Sequence, residues 1–266
     1  MRSLRIVGVC IIAAFVVSQA ATASAALPEL GRCVKLSSRT GVYKYKNCLA
    51  LSEGAKGAYE WQPGPGPSPK FLAEASEVTL ETVGKTKVTC ASAELDGEWT
   101  GAKTASVTVA FRGCVSRERA CGANPGKPVE IVTEGPVDGE LGFIEQGTMP
   151  KVGLDLKPKS GETTLFAFTC GGPPETTFPE HWVVEGSVIG RIRLVDSMKA
   201  TFALLYKALG GKQVPEQFEA GLKDTLIANR LTETGPTTEQ AGLTLKEEAK
   251  PWIPGEYEEA LEIKAK

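Results

Sequence analysis

The sequence predicts an all-β protein in which disulfide-braced, antiparallel sheets form a sandwich or barrel-like body, with a small N-terminal unit packed against it. Three observations predict it. Short runs alternate apolar and polar residues, the two-residue period of a strand with one buried face. Turn-forming clusters separate those runs at close intervals, and long amphipathic helical patterns are scarce. Six cysteines follow an export-type leader, an even number suited to three bridges in an oxidising compartment.

The chain starts with Arg2 and Arg5, continues in an apolar run from Ile6 to Val17, and reaches the small-residue stretch Ala23-Ser24-Ala25. This is the three-part layout of a cleavable secretory signal over residues 1–25. The run is about a dozen residues long, short of the ~20 that span a bilayer. Cys10 lies inside the run and is expected to leave with the leader. Loss of Arg2 and Arg5 takes the formal net charge from −2 to about −4, and the surplus acid falls in the stretch from Glu233 to Lys266. Such a balance offers no basic footprint for nucleic acid or anionic lipid. No later segment is long and uncharged enough to form an integral membrane helix, so a secreted or cell-surface location is expected.

Residues 26–61 read as the small N-terminal unit, too short to bury much alone. The run from Gln62 to Pro69, with Pro63, Pro65, Pro67 and Pro69, reads as a stiff connector that cannot donate a strand ladder. The main β domain is expected over 70–230 and an acidic C-terminal strand segment over 231–266. Within the main domain, Val107, Val109 and Phe111 alternate with Ser106, Thr108 and Ala110, and the same period recurs at Val152, Leu154, Leu156 and at Phe166, Phe168, Cys170. Further strands are expected near Val78-Thr79-Leu80, Thr86 to Cys90, Glu130 to Thr133, Trp182 to Ile192, Leu222 to Ala228, Gly242 to Lys246 and Ala260 to Lys264. Asp96-Gly97, Asp138-Gly139, Ser160-Gly161, Gly171-Gly172-Pro173-Pro174 and Gly210-Gly211 are read as turns. Met198 to Leu209 fits both a helical stripe and a strand face, and its all-β surroundings favour the strand.

Six cysteines admit 15 pairings. The favoured set is Cys33–Cys48, Cys114–Cys121 and Cys90–Cys170: two pairs of sequence neighbours bracketing turns, and one bridge between strand-like runs. Zinc is a poor alternative, because no Cys-x-x-Cys pair occurs.

Local signatures follow one another in a definite order. Leu27-Pro28-Glu29-Leu30-Gly31-Arg32-Cys33 opens the mature chain, then come Gly57-Ala58-Tyr59-Glu60-Trp61, Leu80-Glu81-Thr82-Val83-Gly84, Gly139-Glu140-Leu141-Gly142, Gly153-Leu154-Asp155-Leu156-Lys157-Pro158, Gly186-Ser187-Val188-Ile189-Gly190 and Glu259-Ala260-Leu261-Glu262-Ile263-Lys264. The series resembles a group of exported, cysteine-containing proteins present in multiple copies in some soil bacteria. That resemblance implies no activity and assigns no catalytic or binding residue.

Chemistry-bearing motifs are sparse. His181 is the sole histidine, which rules out multi-histidine zinc sites, and no Gly-x-Ser-x-Gly elbow or Ser-x-x-Lys pair supplies a nucleophile. A surface or turn role is expected for His181. No phosphate-binding glycine loop or calcium loop is present, and Glu256, Glu258 and Glu259 read as a solvated face. No cofactor and no metal are expected. The expectation is therefore a non-catalytic, secreted interaction or adhesion protein whose partner is an extracellular protein or glycan. Two alternatives stand beside it. A polysaccharide hydrolase needs a carboxylate pair, for which Glu98 beside Trp99 and Glu180 near Trp182 are the candidate acids. A lectin-like sugar binder would use Trp99 or Trp182 as an exposed platform.

Overall fold

A computed structural model describes residues 27–67, 70–123, 130–172, 178–221, 223–251 and 260–266. The leader at 1–25, Ser68 and Pro69 of the connector, and Glu256, Glu258 and Glu259 lie outside the described residues. The architecture is nearly all β, with large antiparallel sheets packed together, as the alternation predicts. In chain order the strands are β1 (Glu29–Lys35), β2 (Tyr59–Pro63), β3 (Lys70–Thr82), β4 (Lys87–Trp99), β5 (Thr104–Ser116), β6 (Arg119–Gly122), β7 (Ile131–Val132), β8 (Val137–Glu145) and β9 (Lys151–Lys157). They continue as β10 (Thr164–Cys170), β11 (Glu180–Gly186), β12 (Val188–Arg193), β13 (Phe202–Tyr206), β14 (Ala208–Leu209), β15 (Lys212–Gln213), β16 (Leu226–Thr232), β17 (Gly235–Pro251) and β18 (Leu261–Lys264).

Four long strands, β5, β4, β3 and β17, lie side by side and serve two closed circuits. At one end β5 pairs with β8 through Thr104 to Val107, and the circuit returns through β9, β12 and β13 to β17 at Leu245 to Ala249. At the other end β5 pairs with β6 through Cys114 to Ser116, and the second circuit returns through β10, β11 and β16 to β17 at Gly235 to Ala241. The body is thus two barrels fused along a shared four-stranded wall. Closure satisfies backbone groups that a free edge would leave unpaired. One continuous apolar core fills both barrels, from Trp99, Phe71 and Phe202 in the first to Phe168 and Trp182 in the second.

Two dipeptides read as turns lie inside strands. Asp96-Gly97 sits within β4, where the Phe71 ring occupies the place of a side chain: a Cβ on Gly97 would come within 2.3 Å of Phe71 Cζ. Asp138-Gly139 likewise lies within β8, with Gly139 against Ala105 and Leu154. In both, glycine makes room for a neighbour across the sheet, a non-local reason that mimics a turn signal. Ser160-Gly161 and Gly210-Gly211 are turns, and Phe202 to Tyr206 of the ambiguous segment is a strand.

The N-terminal unit is a three-stranded sheet in the order β18-β1-β2, so the last strand of the chain pairs with the first. Gln62 and Pro63, read as connector, are the last residues of β2, and residues 231–251 complete β16 and form β17, the strand of the shared wall that pairs with β16 in the second barrel and with β13 in the first. The unit docks on the body through the Leu30 amide, which donates to the Ala102 carbonyl at 2.7 Å, and through paired backbone bonds between Leu261 and Lys199.

Three disulfides lie within the chain: Cys33–Cys48, Cys90–Cys114 and Cys121–Cys170. They suggest an oxidising, extracytoplasmic environment. The first agrees with the sequence expectation, and Cys114–Cys121 and Cys90–Cys170 are overturned. The reason is register. Cys90, Cys114, Cys121 and Cys170 stand opposite one another in a single row across β4, β5, β6 and β10. Cys90 and Cys170 occupy its two ends, three strand spacings or about 14 Å apart, beyond the ~7 Å that a disulfide spans.

Candidate functional site

The cysteine row leads to a cleft. Glu180, the first residue of β11, pairs in register with Cys170 and is the next member of the same row. Along β11 the buried positions are Glu180, Trp182 and Val184, so the Glu180 side chain points to the interior side of the second barrel. On β16 the buried positions are Leu226, Ala228 and Arg230, and Thr237 of β17 stands opposite Arg230. At this end of the barrel the inward phase therefore changes from apolar to polar, which forms a polar mouth over an apolar interior. The resulting cleft has a volume of about 470 Å³ and is lined by Arg117, Arg119, Phe178, Glu180, Arg230, Thr232, Glu233, Thr234 and Thr237.

Its charges are arranged in two layers. Glu180 is 5% exposed, and its Oε1 receives Arg119 Nη2 at 2.6 Å and Arg117 Nη1 at 3.3 Å. Arg119 also donates to the Phe178 carbonyl at 3.1 Å, which fixes it in the wall. Arg230, 8% exposed, pairs with Glu239 at 3.1 Å and lies over the Trp182 ring at 5.0 Å. Three buried atoms around the mouth have no hydrogen-bond partner: Glu180 Oε2, Arg230 Nε and Thr237 Oγ1. Burying such groups unpaired is costly. Arg117 and Glu118 form the two-residue link between β5 and β6, and both hold left-handed backbone angles, φ 48° and 64°. Hairpins of this shape favour Asn-Gly, so two long side chains here carry a conformational cost.

The sequence candidates fall in different places. Trp99 and Trp182 are each 1% exposed, so neither is a platform for a sugar. Trp99 packs between Phe71 and Phe202 at ring separations of 5.3 and 5.9 Å, and Trp182 stacks on Phe168 at 5.4 Å beneath Arg230. Glu180 is in the cleft, held by arginines, with Glu233 on the same lining, whereas Glu98 is exposed on β4 in register with Lys70 and Ser106. His181 is exposed on the opposite face of β11 from Glu180, and its Nδ1 lies 3.0 Å from Thr169 Oγ1. Arg117, Arg119 and Arg230 were not singled out by the sequence reading. The available signal was phase: Arg230 falls in step with Leu226 and Ala228, where an apolar residue belongs.

A second polar group lies on the outer side of the first barrel. Asp155 on β9 is 2% exposed, covered by the strap of residues 207–225 that carries β14 and β15. Gln213 of the strap accepts from the Ile189 amide at 3.1 Å and donates to the Ser187 and Asp224 carbonyls at 3.0 and 2.6 Å. Phe218 seats on Gly142, where a Cβ would come within 2.3 Å of its ring. Burial pushes the Asp155 carboxyl up to about 7, and Asp224 adds to this, while Lys157 and the nearby Ser187 hydroxyl partly oppose it. Burial also raises Asp224. Among the described residues no group of three or more His, Cys, Asp or Glu side chains gathers to hold a metal ion, and no helix is long and apolar enough to cross a membrane.

Comparisons with family models, with curated proteins and with solved structures found no match.

Proposed function

We propose that the chain is an exported binding protein, acting outside the cytoplasm without catalysis, and that the polar mouth of its second barrel is where its extracellular partner is held. The observation that carries this reading is the cleft itself, about 470 Å³ lined by Glu180, Arg230 and Thr237, each of which has a buried polar atom without a partner just beneath that lining. Clefts of this size and barrel mouths are common ligand sites. Rigidity supports it further. Cys121–Cys170 ties β6 to β10, and β10 neighbours β11, so the wall that carries Glu180 is pinned beside a covalent staple. The three disulfides and the leader-like first 25 residues favour an extracytoplasmic setting.

The hydrolase reading is less favoured by this geometry. Glu180 is taken up by two arginines, with Glu233, the other acid of the cleft lining, exposed on the rim, and Asp155, whose carboxyl burial lifts to about 7, lies beneath the strap. With Asp155 2% exposed, a glycosidic bond has no approach to it.

The test uses protein recovered from culture medium with its disulfides intact, applied to a panel of immobilised extracellular glycans and cell-wall fractions. Saturable retention without product formation is expected, and Thr234→Lys combined with Arg117→Glu should abolish it. Retention unaffected by that double change, or release of soluble sugar, would overturn the assignment.

A further inference from the structure

The unpartnered groups of the mouth define what it should hold. Glu180 Oε2 is a buried acceptor, so a ligand must bring it a donor such as a hydroxyl. Arg230 Nε–H is a buried donor, so the ligand must also bring an acceptor. The Thr237 hydroxyl serves in either sense, while Thr232 donates to the Gly235 carbonyl at 2.9 Å and lies 3.0 Å from the Thr234 hydroxyl, which leaves Thr232 and Thr234 as acceptors. Phe178, 41% exposed, supplies an apolar face on one wall. This combination matches a hydroxylated ring.

The charges add a second requirement. Arg230 is neutralised by Glu239, whereas Glu180 is shared by two guanidiniums. Arg119 is the tighter of the two, doubly held by Glu180 and by the Phe178 carbonyl. Arg117 is the more loosely held cation: its side chain is 63% exposed, and its contact of 3.3 Å falls on an oxygen Arg119 already holds at 2.6 Å. A guanidinium carries five N–H donors and engages a carboxylate through two of them at once. Its left-handed backbone, at a link where Asn or Gly would relax the chain, points to a side chain kept for use rather than for stability.

We propose that the mouth binds an acidic saccharide, with the carboxylate of a uronate residue taken by Arg117, its ring hydroxyls by Glu180, Arg230 and the threonines, and a ring face laid on Phe178. This rests on the binding role assigned above and names its ligand class. Phosphate answers the arginine and offends Glu180, because as the dianion it brings a single O–H donor and sets two negative charges against that carboxylate. A neutral sugar answers Glu180 and leaves Arg117 with its 3.3 Å contact to Glu180 and no partner of its own in the ligand. A hydroxylated ring with one carboxylate meets both demands. Glu233, exposed on the rim, opposes such an anion weakly across solvent.

Calorimetry on the exported, oxidised chain decides it with three probes: tri-galacturonate, the neutral galactose trimer and inorganic phosphate. The uronate trimer is expected to bind at least tenfold tighter than either other probe. Arg117→Gln should weaken it roughly ten- to hundredfold, with the melting temperature unchanged or raised, and Glu233→Gln should strengthen it. Equal binding of the neutral trimer, insensitive to Arg117→Gln, overturns the acidic specificity while the binding role stands. Tighter binding of phosphate marks a plain oxyanion site and also overturns it. Silence with all three probes, from protein whose disulfides and cooperative melt are intact, overturns the uronate assignment. The binding role is then decided by the glycan panel.

Discussion

Replacing Asp155 by Asn should make the protein more stable in neutral solution, and the gain should vanish in acid. In the folded state burial and Asp224 lift this carboxyl to about 7 from an ordinary value of 3.8. Below about pH 4 it is protonated in both the folded and unfolded chains, so its burial adds no ionisation penalty. Between about pH 4 and 7 the folded protein keeps a proton that the unfolded chain has lost, so stability falls as pH rises. Above about 7 the carboxylate is charged in both states and the penalty is complete. At about 1.4 kcal/mol per pH unit the interval corresponds to about 4 kcal/mol; local relaxation of the strap and water entry reduce this to roughly 2–4 kcal/mol. Asparagine keeps the shape and removes the charge that faces Asp224, Glu140 and Lys157. Urea unfolding at constant ionic strength, from pH 4 to pH 8 with the disulfides intact, measures it. The variant should match the parent near pH 4 and exceed it by roughly 2–4 kcal/mol at pH 8. A variant less stable than the parent at pH 8 would show instead that Asp155 is a charged, paired group in the folded protein, and the account of the strap would fail with it.

Three further outcomes follow from the same geometry. A non-reducing peptide map should yield Cys33–Cys48, Cys90–Cys114 and Cys121–Cys170, and replacing both Cys121 and Cys170 by Ser should cost about 4 kcal/mol in denaturant unfolding, given the 49-residue separation. Arg117→Asn with Glu118→Gly relaxes the β5–β6 link and should raise stability by roughly 1–2 kcal/mol while removing uronate binding, a trade visible by pairing a thermal melt with calorimetry. Trp99→Ala should cost roughly 3–5 kcal/mol and leave ligand affinity unchanged in protein that remains folded, whereas Phe178→Ala should do the reverse.

Strand character was legible because it is local. Val107, Val109 and Phe111 alternate with polar residues in the sequence, and all three are buried on one face of β5. Pairing was not legible, because register depends on which strands become neighbours. Cys114 and Cys121 are close in sequence and stand opposite across a hairpin, yet each bonds outward, to Cys90 and Cys170, because the row continues on both sides. Gly97 shows the same limit from the other direction, since its reason is the Phe71 ring across the sheet. The tryptophans were placed beside the right acid in one case: Glu180 lines the cleft two residues from Trp182. What alternation alone did not show is that Arg230, two strand positions beyond Ala228, covers that indole and sets a buried guanidinium, rather than the ring, beneath the cleft.

The filling of the two barrels bears on where any ligand can go. Two voids in the shared interior, lined by residues such as Leu95, Phe111, Phe166 and Leu243, have volumes of about 20 Å³ each, room for about one water molecule. Barrels that carry lipophilic cargo keep an open lumen, and here aromatic side chains occupy it, with Phe111 on Phe166 at 5.3 Å and Phe166 on Phe168 at 6.2 Å. A ligand of more than a few atoms therefore meets this protein at a rim or on its surface. At a rim, affinity depends on how well the polar side chains are held before the ligand arrives. Glu180 is fixed by two arginines, Arg230 by Glu239 and Trp182, and Arg119 by a main-chain carbonyl. Arg117 alone among these cations is largely exposed, on a link whose backbone resists its residue type. The part of the mouth left most free to adjust is thus the part that carries the most loosely held charge, so recognition should be most sensitive to changes at that one side chain and least sensitive to changes in the core below it.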